Sequence, residues 1–178
     1  MNELFKNEMK TILKDEYDDF IQSLQKPPVK AFYLNPLKKD CLHYFNQDAI
    51  SPHPVVPDGY YFDYEKYPLG KSPFFSCGLY YIQEPSAMLV AHFLDIQKDD
   101  YVLDMCGAPG GKSCAVASRL GPQGLMITND INTLRAKILS ENIERFGLKN
   151  TIVTNCDPIQ FTKILPEFFD KIILDAPC

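Results

Sequence analysis

After residue 100, hydrophobic residues form short apolar runs, each separated from the next by an amphipathic or polar stretch. A short apolar run between turn signals predicts a buried strand, whereas apolar positions at helical spacing predict a helix. The pattern predicts strands at 101–105, 125–129, 151–154 and 169–174, and helices at 111–119, 132–146 and 158–165. Alternating strands and helices indicate parallel strands joined by helical crossovers. We therefore expect an α/β fold with a parallel sheet covered on both faces.

The first third of the chain has a different pattern and predicts a smaller unit. Residues 3–25 carry apolar side chains at helical spacing, and Pro27 and Pro28 end this predicted helix. The pattern then predicts a strand at 29–34, a turn at 35–36, a short helix at 37–45 and an extended piece at 60–64. Pro85 suits the first turn of a helix that runs to about residue 96. We predict an N-terminal α+β domain over residues 1–72 and a second domain over residues 73–178.

Composition and charge narrow the function classes. The chain has 178 residues, of which 46% are hydrophobic, and this is enough to bury a core. A net charge of −5 argues against indiscriminate binding of nucleic acid, although it allows a local basic groove. No apolar run approaches the roughly 20 residues of a membrane helix, and the charged N-terminus differs from a secretory signal. We expect a cytoplasmic protein, with no membrane association and a monomeric state.

The cysteines give no sign of a metal site. The six cysteines include no Cys-x-x-Cys pair and no zinc spacing. Reduced thiols are therefore expected rather than disulfides or metal ligands.

Residues 101–112, YVLDMCGAPGGK, form the most informative stretch, a predicted strand that runs into a Gly/Pro loop and a helix. A phosphate-binding loop requires glycine where Cys106 stands, and the dinucleotide pattern requires glycine where Pro109 stands. Asp104 before the loop offers a carboxylate to a cationic ligand. This suits S-adenosylmethionine, which has no phosphate group, and a phosphate-binding NTPase is the weaker alternative.

Three later predicted strands also end in aspartate, at Asp130, Asp157 and Asp175. Asp130 lies 19 residues after Gly111, close to the spacing at which an acidic side chain accepts ribose hydroxyls. Capping of the following helix is the alternative role for both Asp130 and Asp157. Because the carboxyl ends of parallel strands meet at one sheet edge, we expect these residues and Asp104 to line one edge.

Several segments resemble a known family in their order and spacing. They are YIQEPSAM, LDMCGAPGGK, TNDI with Arg135, RFGLKN, VTNCDP and ILDAPC. Over about residues 30–178 the chain resembles the Sun-type (NOL/NOP/Sun) RNA (cytosine-5)-methyltransferases. The Asp-Ala-Pro-Cys turn differs from the Asn/Asp-Pro-Pro-aromatic turn of amino-methylating enzymes. The resemblance implies a Rossmann-like methyltransferase fold with the first half of its sheet present, after an RNA-docking domain. Tyr33 departs from the family, in which arginine is common at that position.

The resemblance also implies roles for individual residues. The cofactor-binding residues would be Cys106, Gly107, Ala108, Pro109, Gly110, Gly111, Lys112, Asp130, Arg135, Asp157 and Asp175. Asp130 would contact the ribose, Asp157 would lie near adenine, and Asp175 would lie between cofactor and base. The catalytic residues would be Asp175 and Cys178, with Cys178 assisting product release. The attacking cysteine of the family belongs to a later Thr-Cys turn that this sequence lacks.

We accordingly expect S-adenosylmethionine-dependent methylation of cytosine carbon 5 in RNA, with ribosomal RNA favoured over transfer RNA. The chain is expected to hold the docking domain and the first part of the catalytic domain, and to be inactive by itself. A non-catalytic RNA- or ribosome-binding fragment is the alternative. A further hypothesis is that strand 169–174 forms an exposed hydrophobic edge that promotes aggregation.

Overall fold

The computed structural model describes residues 1–38 and 41–176. The helices are α1 (Glu3–Leu13), α2 (Tyr17–Gln25), α3 (Pro73–Ser76), α4 (Pro85–Phe93), α5 (Gly111–Ala117), α6 (Thr133–Phe146) and α7 (Ile159–Ile164). The strands are β1 (Lys30–Leu34), β2 (Ile50–Pro52), β3 (Gly59–Phe62), β4 (Tyr80–Gln83), β5 (Tyr101–Asp104), β6 (Leu125–Asn129), β7 (Thr151–Thr154) and β8 (Lys171–Ile173). Within the described ranges, no helix is long and apolar enough to cross a membrane.

Strands β5 to β8 form a parallel sheet in the order β7-β6-β5-β8, which confirms the predicted α/β fold. Leu103 in the central strand β5 lies opposite Ile127 of β6 and Ile172 of β8. The chain builds outward from β5 through β6 to β7, and then returns to add β8 on the other side of β5. Open α/β sheets bind their ligands where the strand order reverses in this way, outside the carboxyl ends of the strands. The topology thus directs attention to the ends of β5 and β8.

The first sheet is antiparallel and has the order β2-β3-β1-β4. Its core is aromatic: the Phe32 ring stacks on Phe45 with centroids 5.0 Å apart, and Tyr80 lies 5.3 Å from Phe32. Strand β4 pairs with β1, with Phe32 opposite Ile82, so this sheet includes residues on both sides of the boundary predicted after residue 72. Sheet pairing alone does not delimit folding units, and the domain boundary stays a prediction.

Two predictions for the N-terminal region need correction. The single helix predicted over 3–25 is two helices, because Lys14 adopts φ 47° and a 3-10 turn intervenes before α2. The helix predicted over 37–45 is wrong in its described part, where only a 3-10 turn at Leu42–Tyr44 forms. Asn35 supplies the physical reason, since its side-chain oxygen accepts a hydrogen bond from Leu37 N at 3.0 Å. This local bond competes with a helical start after residue 35. Residues 39 and 40 lie outside the described residues.

The two sheets share a hydrophobic core, and this contact positions the site. Tyr33 of β1 and Tyr81 of β4 are buried with residues of α4, α5 and α6. The Asn35 amide donates to Phe146 O at 2.8 Å, and Arg145 Nη1 donates to Phe75 O at 2.8 Å. As a result, one face of β4 lies against the first turn of α5, where the glycine loop ends.

Candidate functional site: a cleft beside the glycine loop

A cleft of about 450 Å³ lies beside the carboxyl ends of β5 and β8, where the strand order reverses. Most of the predicted site residues line it. They are Cys106, Gly107, Ala108, Pro109, Gly111, Lys112, Arg135 and Asp175. Gly110, Asp130 and Asp157 are not among the residues that line the cleft, and Cys178 lies outside the described residues.

Glycine is required at two positions of the loop for different reasons. A Cβ at residue 107 would lie 2.0 Å from Thr128 Oγ1, so the loop passes directly over the end of β6. Gly110 has φ 116°, a conformation that side chains with a Cβ rarely adopt. Gly110 precedes α5, and its carbonyl accepts the hydrogen bond from Cys114 N at 2.8 Å. The loop can therefore turn sharply between β5 and α5 while its backbone stays open to the cleft.

Asp104 is buried beneath the loop, with 1% of its surface exposed. Its Oδ2 accepts a hydrogen bond from Ser113 Oγ at 2.7 Å, and its Oδ1 accepts one from Cys106 N at 3.3 Å. Burial raises the pKa of the Asp104 carboxyl, and the hydrogen bond from Ser113 opposes that shift. Both oxygens are thus engaged within the protein. Asp104 also lines the cleft, so its contact with a ligand stays a prediction, and in this structure its carboxylate additionally holds the loop.

An ion pair lies at the border of the cleft, between the first residues of α5 and the segment after β8. Lys112 Nζ lies 2.5 Å from Asp175 Oδ2. The Asp175 side chain is 60% exposed, whereas that of Lys112 is 22% exposed. This contact places an accessible carboxylate beside the glycine loop at the point where the sheet topology predicts ligand binding.

Asp130 and Arg135 connect the end of β6 to the same loop. Asp130 is 2% exposed, and its Oδ1 accepts a hydrogen bond from Asn132 N at 2.9 Å. Arg135 Nη1 lies 3.2 Å from Asp130 Oδ2, and its Nη2 donates to Ala108 O at 2.7 Å. Despite this short ion-pair distance, Asp130 Oδ2 accepts no hydrogen bond from the described residues. One buried acceptor beside the loop is therefore left without a donor.

Asp157 makes a helix-capping contact, the alternative role that its sequence context allowed. The residue is exposed, and its Oδ1 accepts a hydrogen bond from Ile159 N at 3.0 Å, at the start of α7. The structure thus shows Asp157 in a capping contact. Its proposed position near adenine stays a prediction.

Sequence reasoning missed the wall that the first sheet contributes to the cleft. Tyr81, Gln83 and Glu84 all line it, and burial raises the pKa of Tyr81 to about 12. These residues follow from the pairing of β4 with β1, which depends on contacts distant in sequence. The only local signal is the polar Gln83-Glu84 pair between an apolar strand and Pro85.

Asparagine side chains that hold the loop were also missed. Asn142 Nδ2 donates to Pro109 O at 2.7 Å, and Asn129 Nδ2 donates to Met105 O at 3.2 Å. Asn129 also accepts a hydrogen bond from Cys156 N at 3.1 Å, which ties the ends of three strands together. The loop conformation is thus supported from α6 as well as from the sheet.

The donor and acceptor groups of the cleft suit a nucleoside that carries an amino-acid group, with its positively charged ammonium and its negatively charged carboxylate. Lys112 and Arg135 provide positive charge, while Asp175 and Glu84 provide carboxylates. Asp130 does not line the cleft, but next to the loop its Oδ2 is a buried acceptor without a hydrogen-bond donor, which could accept from a ribose hydroxyl group. In the described part of the chain, no cluster of His, Cys, Asp or Glu side chains is arranged to hold a metal ion.

Two family models match adjoining parts of the chain. Residues 91–178 match the family described as 16S rRNA methyltransferase RsmB/F, and residues 1–85 match the N-terminal domain of 16S rRNA methyltransferase RsmF. The two matches together span nearly the whole sequence.

Individual relatives agree with these matches. The chain is 37% identical over 172 residues to ribosomal RNA small subunit methyltransferase F of Salmonella paratyphi B, covering 91% of this chain and 36% of the relative. This chain therefore spans about a third of the length of that curated relative.

Two solved structures share the fold. A methyltransferase homolog protein from Pyrococcus horikoshii superposes with a TM-score of 0.87 at 28% identity, covering 100% of this chain and 60% of that one. NSun6 from Pyrococcus horikoshii, solved with SFG, gives a TM-score of 0.84 at 20% identity, covering 99% and 71%. At that lower identity, the second likeness concerns the fold alone.

Proposed function

Since this chain belongs to the RsmB/F (Sun-type) family of ribosomal RNA methyltransferases, we propose that its cleft binds S-adenosylmethionine and serves the methylation of cytosine carbon 5 in RNA. Ribosomal RNA is the favoured substrate, with transfer RNA as the alternative. One observation carries the proposal: the glycine loop and the Lys112–Asp175 ion pair lie together at the ends of β5 and β8. The sheet topology predicts ligand binding at this position.

The residues of the cleft fit the cofactor. S-adenosylmethionine supplies an activated methyl group when it is bound. The loop at 106–112 would hold its methionine end, because the backbone there is free of side chains at Gly107, Gly110 and Gly111. Asp130 would accept the ribose hydroxyl groups through the buried oxygen that lacks a donor. Arg135 holds Asp130 and the loop in fixed positions relative to each other, because it contacts both.

Asp175 is the residue best placed to contact the target base. Its carboxylate is exposed at the border of the cleft, and Lys112 holds it there. Carbon 5 of cytosine is a weak nucleophile, so a thiolate must first add to carbon 6 of the ring. We propose that Asp175 shares a proton with ring nitrogen 3 and so stabilises the adduct. Cys178 would assist release of the product, a role assigned by the family resemblance.

The thiols described in the cleft region do not suit the attacking role. Burial raises the pKa of Cys106, and the charges of Asp104 and Asp130 act in the same direction. Burial raises the pKa of Cys114 to about 12. Because the thiolate is the reactive form, both residues are poor nucleophiles near neutral pH. We therefore propose that the 178-residue chain binds the cofactor and does not transfer the methyl group by itself.

A binding experiment tests the cofactor site. Calorimetric titration of the chain with S-adenosylmethionine is expected to show one site, and Asp130→Asn is expected to weaken binding about tenfold or more, since a hydrogen bond to a charged group contributes about 1.5–3 kcal/mol. Asp99→Asn is the matched control, because Asp99 is exposed and lies outside the cleft. Absence of binding, or equal effects of the two variants, would contradict the proposed site.

A second experiment tests the reaction and the base. Ribosomal RNA from cells that lack the gene is compared with wild-type RNA by mass spectrometry of 5-methylcytosine. Loss of one modified cytosine supports the proposal, whereas an unchanged pattern in ribosomal RNA, with loss in transfer RNA, supports the alternative substrate. RNA binding without catalysis is the second candidate function, favoured by the raised pKa values of Cys106 and Cys114, which make both thiols poor nucleophiles. It is supported if neither RNA loses a 5-methylcytosine although the chain binds RNA.

A further inference from the structure

Strand β4 brings a side-chain amide directly over the glycine loop. A Cβ built on Gly111 would lie 2.9 Å from Gln83 Nε2 and 3.1 Å from Gln83 Cδ. The amide therefore occupies space that a side chain at residue 111 would take. Gln83 is partly buried and lines the same cleft as the loop. The first sheet thus contributes a polar group to the cleft that the second sheet forms.

The oxygen of this amide has no donor. Gln83 Oε1 is buried and accepts no hydrogen bond from the described residues. Buried polar atoms in folded proteins nearly always have a partner, so an exception beside a ligand cleft points to a group supplied by the ligand. Asp130 Oδ2 is the other such oxygen beside the loop. The two oxygens belong to different sheets.

The carboxylates near this wall each have a partner within the protein on at least one oxygen. Glu84 Oε2 accepts hydrogen bonds from Ser86 and, at 3.0 Å, from Ala87 N at the start of α4. Asp104 accepts two hydrogen bonds from the loop region, and Asp175 is paired with Lys112. The Gln83 oxygen differs from these carboxylates because it is buried beside the cleft and has no partner at all among the described residues.

We propose that Gln83 is a cofactor-binding residue whose Oε1 accepts a hydrogen bond from the α-ammonium group of the cofactor's methionine moiety. This inference rests on the proposed function, because it names a further contact within that site. It assigns the first sheet a direct part in cofactor binding, in addition to the RNA docking that the family resemblance implies for the N-terminal region. The α-ammonium group is the donor-rich end of the ligand, and it matches an uncharged acceptor on a side chain whose amide group lies against the loop.

The test compares two ligands that differ in the amino-acid moiety. S-adenosylhomocysteine carries the α-ammonium group, whereas 5′-methylthioadenosine lacks the whole amino-acid group. Gln83→Met keeps the length of the side chain but replaces the amide by a thioether, which is only a weak acceptor, and Gln83→Ala removes the side chain beyond Cβ. Both variants are expected to bind S-adenosylhomocysteine about 10–100-fold more weakly than the parent chain, the range for a lost hydrogen bond to a charged group. Binding of 5′-methylthioadenosine is expected to stay unchanged.

Gln123→Met is the matched control, because Gln123 is exposed and lies outside the cleft. Thermal melting without ligand verifies that each variant is folded. Binding of S-adenosylhomocysteine within about threefold of the parent by both Gln83 variants would overturn the inference while leaving the proposed function intact. An equal loss of affinity for both ligands would also overturn it, since the defect would then not involve the ammonium group. Absence of S-adenosylhomocysteine binding by the parent chain would contradict the proposed function and this inference together.

Discussion

Gly107→Ala tests whether the close approach of the loop to β6 determines its conformation. The added Cβ would lie 2.0 Å from Thr128 Oγ1 and 2.9 Å from Ser113 Oγ. Thr128 and Ser113 are fully buried and are hydrogen-bonded to each other at 2.8 Å, so neither side chain moves away without losing that bond. Overpacking a buried site costs about 1–3 kcal/mol, and we expect Gly107→Ala to lower the free energy of unfolding by about 2–3 kcal/mol.

Urea unfolding followed by circular dichroism measures this loss. With a denaturant dependence of about 2 kcal/mol per molar urea, the unfolding midpoint of Gly107→Ala should fall by about 1–1.5 M. Gly70→Ala is the matched control, because the nearest atom to its Cβ would be Ile82 Cδ1 at 3.7 Å, an ordinary contact. The free energy of unfolding of Gly70→Ala is expected to stay within about 0.5 kcal/mol of the parent value, as for other substitutions without a specific clash.

A double-mutant cycle identifies the clash itself. Thr128→Ala removes Oγ1 and its hydrogen bond with Ser113, at a cost of about 1–2 kcal/mol. Because the same substitution also removes the nearest atom to a Cβ at residue 107, the double variant should lose less stability than the sum of the single variants, by about 1 kcal/mol or more. Additive effects, or a Gly107→Ala variant as stable as the parent, would refute the reasoning.

Three further predictions concern other parts of the structure. Arg135→Ala should lower the free energy of unfolding in urea by about 1–2 kcal/mol, because it leaves the buried Asp130 carboxylate without its cation. Lys137→Ala on the same helix is the control and should have little effect. Burial raises the pKa of Cys114 to about 12, so its contribution to stability is fully present below the unfolded thiol pKa of about 8.5 and is lost as the pH rises toward about 12. Cys114→Ala should therefore reduce the decline in the free energy of unfolding over this alkaline range. An identical slope for the variant and the parent would contradict the prediction. Ile172 is 54% exposed on the edge strand β8, and Ile172→Lys should reduce self-association measured by light scattering at high concentration; a parent chain that is already monodisperse would count against the edge hypothesis.

Much of the second sheet could be predicted because its signals are local. The strand predicted at 125–129 matches β6, and the strand predicted at 151–154 matches β7. Gly147 ends α6 with φ 82°, as its position after a long helix indicates. The glycine loop was recognised from its own residues, since the φ of Gly110 and the tight approach at Gly107 both require glycine. Each of these features depends on a few consecutive residues.

Contacts between distant residues had no comparable signal. The sequence context of Asp104 suggested a ligand contact, but it gave no sign that Ser113 and the backbone of Cys106 would donate hydrogen bonds to its two oxygens. Arg135 was expected to bind the cofactor on the family resemblance alone, and only the structure shows it between Asp130 and Ala108. Hydrogen-bond partners depend on which elements meet in space, and the pattern of polar and apolar residues along the chain does not specify them.

The sequence by itself therefore determined the parallel α/β architecture, the glycine loop and the acidic residues at the strand ends, because strand and helix periodicity and glycine conformations are local properties. The tertiary structure alone decided which groups reach the cleft. It joined Asp104 to Ser113, placed Asp157 at a helix start, and brought Gln83 over Gly111 through the pairing of β4 with β1. Side-chain placement of this kind follows from packing between two sheets, which arises from contacts between residues far apart in the chain.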